Sequence, residues 1–317
     1  MVVLDIVCIG ILVADTIAHT VNHLPERGKL QQVDIIELFS GGCAANAAID
    51  MSKLGLKVSL IGKIGDDGFG YYIKNTLQKA NVDITGLTID KVNGTSASIV
   101  TVDSSGERTF LHYTGANASF TEEDISYNLI QSTDMVFVAG SFLMPQFDGE
   151  PCAAFLKKAK AMCKYTALDT AWDATGRWMK VLKPCMEYID LFMPSYEEAV
   201  NLSGKTDPKD IADVFIEMGV KTVVIKLGSK GCFINDIRGE KHILPAFTQE
   251  KVVDTTGAGD AFCAGFLTGM SLGWSLQDCG VYANAVGAHC VMAVGSTAGI
   301  TSFKEISDFI KDKDRGM

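Results

Sequence analysis

Near the C-terminal third, Asp254-Thr255-Thr256-Gly257-Ala258-Gly259-Asp260-Ala261-Phe262 joins a carboxylate to small residues that let a backbone approach an anion closely. The apolar stretch from Phe262 to Leu272 has helix-compatible composition. The small residues therefore enter a helix whose first amides lack intrahelical acceptors and are available to bind an anion. Gly257, Ala258 and Gly259 would stabilise a transferring phosphoryl group, while Asp260 would accept the proton of an attacking hydroxyl as the transition state forms. A plainer role, a first-turn carboxylate stabilised by the helix dipole, fits the same Asp260.

A second constellation is Ser40-Gly41-Gly42-Cys43-Ala44-Ala45-Asn46, followed by Gly65-Asp66-Asp67-Gly68-Phe69-Gly70. Paired glycines admit a polyhydroxylated ligand to the backbone, and Asn46 offers its hydroxyls both a donor and an acceptor. A tight strand-to-helix turn with a buried Asn would use the same residues.

Together these stretches resemble the PfkB, or ribokinase-like, carbohydrate kinase family. Its signatures are a Gly-Gly-x-x-x-Asn turn with a downstream Gly-x-Asp-x-x-Gly, and a C-terminal Asp-Thr-x-Gly-Ala-Gly-Asp-x-Phe. The resemblance implies a doubly wound, mostly parallel α/β sheet flanked by helices and covered by a small β-sheet lid, with sugar between the two and ATP on the C-terminal side. It implies ATP and Mg²⁺ as cofactors and K⁺ as a candidate. Asp260 matches the family's base, and Gly257, Ala258 and Gly259 match its anion hole. Asp15, placed at the end of the first strand, matches the acidic grip on sugar hydroxyls, and Gly41, Gly42 and Asn46 match the sugar-binding turn. Lys226, Gly228, Ser229 and Gly231 resemble the adenine and ribose loop, Asn284 falls where a base-side contact is expected, and Gly259 serves the nucleotide as well. Asp254 and Thr256 resemble the start of a monovalent-cation loop completed near Cys290, Ala293 and Gly295.

Three positions depart from the pattern. Ser195 replaces the Asn of the Asn-x-x-Glu motif, which leaves Glu198 for the Mg²⁺ waters and Ser195 beside the phosphates; Ser195 and Glu198 also spell a capping box. Val13 stands two residues before Asp15 where ribose kinases often carry Asn, and Gly140-Ser141 where ribose-specific members carry an acid. The expected activity is therefore ATP-dependent phosphorylation of a hydroxyl of a small sugar such as ribose, fructose or a relative. A nucleoside kinase of the adenosine or cytidine type and a silent sugar-binding regulator are the alternatives on the same scaffold. Gly204-Lys205-Thr206 is no phosphate loop, because Ala199 occupies the place of the first glycine.

The elements that must position these groups follow from hydrophobic patterning. Compact apolar runs at Leu4 to Gly10, Val58 to Ile61, Met135 to Ala139, Tyr165 to Leu168, Tyr188 to Phe192 and Thr222 to Leu227 read as buried strands. They alternate with helical stretches at Ala44 to Leu54, Tyr71 to Ala80, Pro151 to Lys164 and Asp210 to Met218, the rhythm of a parallel sheet covered on both faces. The alternating pieces Ser96 to Val102 and Arg108 to His112, with turns at Asn93-Gly94 and Ser105-Gly106, read as lid strands. Residues 1–15, 40–83 and 114–317 are thus expected to form the large domain, with 16–39 and 84–113 inserted as the lid. The lid's open strand edges suit a homodimer.

Composition bounds the function. The 317 residues carry 28 basic and 38 acidic side chains, a net charge of −10, which disfavours nucleic acid and anionic membranes as partners. No apolar run approaches the ~18 residues of a membrane span, and the N-terminus lacks a basic leader, so the cytoplasm is the expected compartment. Nine cysteines without a C-x-x-C pair read as reduced thiols, and five dispersed histidines argue against catalytic zinc.

Overall fold

The computed structural model describes residues 3–104, 108–248 and 252–315. In chain order the first half contains β1 (Ile6–Gly10), β2 (Val13–His19), β3 (Ile35–Gly41), α1 (Cys43–Lys53), β4 (Val58–Gly65), α2 (Gly68–Lys79), β5 (Asp83–Asp90), β6 (Ala97–Val102) and β7 (Arg108–Tyr113). The middle contains α3 (Tyr127–Gln131), β8 (Met135–Ser141), α4 (Glu150–Ala161), β9 (Tyr165–Thr170), α5 (Met179–Leu182), β10 (Leu191–Phe192), α6 (Tyr196–Ser203) and α7 (Pro208–Glu217). The remainder is β11 (Thr222–Lys226), β12 (Cys232–Asp236), β13 (Lys241–Leu244), α8 (Ala258–Ser271), α9 (Leu276–Cys290) and α10 (Phe303–Arg315).

Nine strands form one sheet in the order β13-β12-β11-β10-β9-β8-β1-β4-β5, all running the same way except β12, whose pairings with β11 and β13 are antiparallel. Successive residues of a strand point to opposite faces, and each face here is apolar. Val7 and Ile9 of β1 join the core that also holds Phe155, Phe192 and Phe215, whereas Ile6 and Cys8 join the core against Ala44, Ala48, Phe262 and Phe266. The chain runs from β1 outward through β4 to β5, then returns to β8 and proceeds outward on the other side. Strand order therefore reverses between β1 and β8, and the crevice beyond their carboxyl ends is where a ligand site is expected.

A four-stranded sheet, β3-β2-β6-β7, stands apart from the large one. The chain crosses into it at Leu12, whose backbone N–H donates to Asn117 Oδ1 at 3.3 Å and whose carbonyl accepts from Asn117 Nδ2 at 2.9 Å. Asp67 caps α2 by accepting from the Gly70 amide at 2.8 Å, and also accepts from the Thr95 amide at 2.7 Å, so the Gly-x-Asp-x-x-Gly stretch ties α2 to the approach to β6.

Several boundaries differ from the sequence expectation. Asp83–Asp90 pairs in parallel with β4 and belongs to the large sheet, because Gly86 packs beneath the Leu60 carbonyl where a lid strand could not reach. The lid instead begins at Val13, within β2, and ends its second strand at Gly41. Asp15 is accordingly a mid-lid residue, opposite Phe39 on β3 and Ser98 on β6, and not the end of the first strand, which stops at Gly10. The strand expected from Tyr188 starts only at Leu191, since Pro184 opens a 3₁₀ turn over Lys183–Tyr188. The turn expected at Ser105-Gly106 lies outside the described residues. Gly204 closes α6 in a left-handed conformation, as a loop after a helix requires.

Candidate active site

The start of α8 is set by one residue. Gly257 has φ of 77°, and a Cβ there would lie 2.4 Å from the Ser296 carbonyl oxygen, so only glycine permits this entry. The Ala258 amide donates to Thr255 O at 3.3 Å, and Gly259 and Asp260 follow in the first turn, where the dipole and the amides favour an anion.

Asp260 is held from the side by α1. Asn46 Nδ2 donates to Asp260 Oδ2 at 2.8 Å, while Asn46 Oδ1 accepts from the Ser296 hydroxyl at 2.8 Å. A carboxylate only accepts, which fixes the amide's orientation. Asn46 is therefore occupied in orienting the carboxylate, with the chain Ser296-Asn46-Asp260 joining three elements. Burial raises the Asp260 carboxyl above its ordinary value; the Asn46 bond, the Lys226 charge and the Cys43 thiol pull it back, and Glu198 pushes it up. Desolvation raises the proton affinity of this carboxylate, which suits it to take a hydroxyl proton late in the reaction.

The lid supplies the facing wall. Burial raises Asp15, a Ser98 hydrogen bond and the His112 ring lower it, and the charge of Asp260 raises it, so the two carboxylates lie within electrostatic reach of each other. Ser98 Oγ and His112 Nδ1 are 3.1 Å apart, on neighbouring lid strands. The glycine pair at the mouth is a packing requirement: a Cβ on Gly41 would lie 2.0 Å from Asp15 Oδ2, and one on Gly42 would lie 2.5 Å from Ile11 O.

Below the α8 terminus, Lys226, Gly228, Ser229, Gly231, Gly259 and Asn284 line a cavity of about 410 Å³. The structure thus brings together the residues expected to hold a nucleotide, with one exception. Ser195 caps α6, its hydroxyl accepting from the Glu198 amide at 3.4 Å and its own amide donating to Glu198 Oε2 at 2.9 Å. Thr170 Oγ1 donates to the same oxygen at 3.0 Å. Asn284 is buried and spends Nδ2 on the carbonyls of Leu244 and Pro245, at 3.3 and 3.2 Å, which holds the β13 end against α9.

The 254 and 290–296 segments also meet. Asp254 accepts from the Thr256 amide at 2.7 Å and from the Gly295 amide at 2.9 Å, and Cys290 Sγ donates to the Thr256 and Ser296 carbonyls at 3.4 and 3.2 Å. The Ala293 amide bonds the Cys290 carbonyl at 3.4 Å. Thr256 Oγ1 is buried without a hydrogen-bond partner, a site suited to an oxygen-liganded cation.

Sequence reasoning missed two contributors. Asp169, at the carboxyl end of β9, is 2% exposed and bonds Lys226 Nζ through both oxygens, at 2.8 and 2.9 Å. Ser98, paired with His112, was the other. A buried strand that ends in Asp at the carboxyl edge of a parallel sheet was the available signal for Asp169.

The likeness to known proteins follows the same geometry. The profile described as "pfkB family carbohydrate kinase" matches residues 3–302. The chain is 30% identical to fructokinase-2 of Zea mays, over 85% of this chain and 84% of that one. Its fold matches a ribokinase from Thermotoga maritima with a TM-score of 0.81 and 26% identity, over 97% and 99% of the two chains. It also matches the Arabidopsis thaliana ribokinase complexed with ribose and ATP, with a TM-score of 0.84 and 23% identity over 98% and 99%. Motif, fold and the crevice between the sheets agree, and the chain belongs to the pfkB family of carbohydrate kinases.

Proposed function

We propose that the chain transfers the γ-phosphoryl group of ATP to a hydroxyl of a small sugar, of the fructose or ribose kind, held between the lid and the α8 terminus. The observation that carries this reading is the placement of Asp260. It stands in the first turn of α8, oriented by Asn46 at 2.8 Å, with the Asp15 carboxylate within electrostatic reach and a cavity of about 410 Å³ against the neighbouring Gly259. The hydroxyl oxygen would attack the γ-phosphorus, the β–γ bridging bond would break toward ADP, and the hydroxyl proton would pass to Asp260. Gly257 and Gly259 would present amides to the phosphoryl oxygens, with the Ala258 amide joining them on leaving its long 3.3 Å bond to Thr255 O, and Asp15 would orient the sugar.

Glu198 is the carboxylate that would hold Mg²⁺ through its waters, and the ion would neutralise phosphate charge when bound. Thr256 Oγ1 and the carbonyls near Cys290, Ala293 and Gly295 would serve a K⁺ ion. The lid leaves Ile36, Ile99, Leu111 and Tyr113 exposed and has two open edges, which supports pairing with a second copy through the lid. All nine cysteines are unpaired, which suits a reducing compartment such as the cytoplasm.

The test is sugar-dependent ADP release from MgATP across pentoses, hexoses, sugar acids and nucleosides, with Asp260→Asn alongside. Loss of a general base should lower turnover by about 10²–10⁴-fold. An Asp260→Asn enzyme within a few-fold of the parent would overturn the assignment.

A further inference from the structure

Lys226 was expected among the adenine and ribose contacts, but its side chain turns the other way. It is the last residue of β11, and its Nζ lies inward, bonded to both Asp169 oxygens at 2.8 and 2.9 Å and 3.6 Å from Cys263 Sγ. The side chain is 11% exposed and its partner 2%. A Cβ placed on Gly259 would come within 3.5 Å of Nζ, so the ammonium lies directly against the first turn of α8, where a side chain at 259 would cover it. Lys226 and Gly259 line the same cavity.

Asp169 touches this ammonium, and Glu198 and Asp260 feel its charge from farther off. Burial alone would lower the Lys226 group, yet Asp169 chiefly, and Glu198 with it, hold it well above its ordinary value and hence charged. Burial pushes Asp169 up to about 7, with Lys226 opposing and Glu198 and Asp260 adding to the rise. One cation thus serves Asp169, Glu198 and Asp260 together. An ion pair this well shielded from water is a poor source of stability, because the desolvation of both groups offsets their attraction. Its location is the informative part: a fixed positive charge beside the helix terminus that receives the phosphoryl group, with a carboxylate holding it there.

The geometry points to Lys226 as a catalytic residue that takes the non-bridging oxygens of the transferring phosphoryl group, with Asp169 as the positioning residue that holds it between turnovers. This inference rests on the kinase reading above. In the transfer the sugar oxygen forms the new bond to phosphorus, the β–γ bridging bond breaks with its electron pair leaving on ADP, and the proton goes to Asp260. Lys226 neither gains nor loses a proton; it compensates charge on the three oxygens in flight. Contact with the γ group alone predicts a nucleotide signature. Lys226 should favour ATP over ADP, which adenine and ribose contacts cannot do.

The experiment compares the parent, Lys226→Met, Lys226→Arg and the paired Lys226→Met/Asp169→Asn variant. The pair removes Lys226 together with the carboxylate it is hydrogen-bonded to, so Asp169 is not left buried and unpaired. Calorimetric Kd values for MgATP and MgADP are read beside kcat and the sugar KM. Expected are a fall in kcat of about 10²-fold or more in both Met variants, a sugar KM within about threefold, and an ADP-to-ATP Kd ratio that collapses toward one. Lys226→Arg should recover part of kcat and of that ratio. A Met variant with kcat within threefold of the parent, or one that loses ATP and ADP affinity equally, overturns the inference while leaving the kinase reading intact. Absence of sugar-dependent ADP release by the parent overturns both.

Discussion

Replacing Asn46 by Ala should move the acidic limb of the pH–rate profile to higher pH. The structure gives Asp260 a side-chain hydrogen bond from Asn46 Nδ2 at 2.8 Å, and that bond stabilises the ionised form. A hydrogen bond to a charged group contributes about 1.5–3 kcal/mol. Since one pKa unit corresponds to about 1.4 kcal/mol, its loss should raise the pKa of Asp260 by about one to two units. Burial already raises this carboxyl, and the variant shifts it further in the same direction. The base works ionised, so turnover fails as pH falls through its pKa. A higher pKa brings that failure at higher pH. Below the limb the variant should lose about 10–100-fold relative to the parent, and well above it the two should converge to within the cost of a less well oriented base. Ser296 Oγ loses its Asn46 partner but retains the Ser40 carbonyl at 2.9 Å, which limits collateral damage. The assay is kcat/KM for the sugar at saturating MgATP from pH 5 to 9, on proteins whose melting temperatures are matched. A limb that stays within about 0.3 unit while only the sugar KM rises would refute the reasoning and return Asn46 to the role of a direct sugar contact.

Gly257→Ala should cost at least about 1–2 kcal/mol in urea unfolding, because a side chain at φ of 77° is strained and the new Cβ meets the Ser296 carbonyl; an unchanged midpoint would count against that account. Gly41→Ala should displace Asp15, raising the sugar KM at least tenfold with the ATP KM unchanged, and equal effects on both substrates would contradict the lid assignment. Asp50, on α1 one turn beyond Asn46, is fully buried with neither carboxylate oxygen hydrogen-bonded. Burial raises it well above the ordinary range, Lys53 lowers it and Asp260 raises it. The folded state therefore keeps a proton that the unfolded chain releases near pH 4, so this group's contribution makes stability fall as pH rises above that value. Asp50→Asn should flatten the dependence of melting temperature on pH between 5 and 8, and a slope equal to the parent's would show that Asp50 is not its source.

Much of this site was legible in the sequence because its parts are contiguous. The stretch from Asp254 to Phe262 codes for its own geometry: the glycine needed at a left-handed position, the small residues of the turn and the first-turn acid occur within one loop and helix start. The strands of the large sheet were equally plain, since burial on both faces leaves unbroken apolar runs. What escaped was assembled from a distance. Asp169 and Lys226 are separated by 57 residues, and nothing local to either marks the pair. Asp15 could be named but not placed, because a strand that leaves one sheet for another two residues after Gly10 has no break in hydrophobicity to announce it. Residues 84–90 were misassigned to the lid for the reverse reason. They are half-buried at the sheet's edge, and their mixed pattern imitates a lid strand.

The paired glycines have a consequence for how relatives of this chain should be interpreted. Gly41 is held to its identity by the Asp15 carboxylate within the lid, and Gly42 by the Ile11 carbonyl, where the lid is stitched to the body. Selection on that seam is selection for architecture. A duplicated copy that drifted away from catalysis while keeping its shape would retain both glycines and shed Asp260 and Lys226 first. Among diverging descendants, then, the glycine pair traces ancestry, and the charged trio of Asp260, Lys226 and Asp169 separates working enzymes from retired ones.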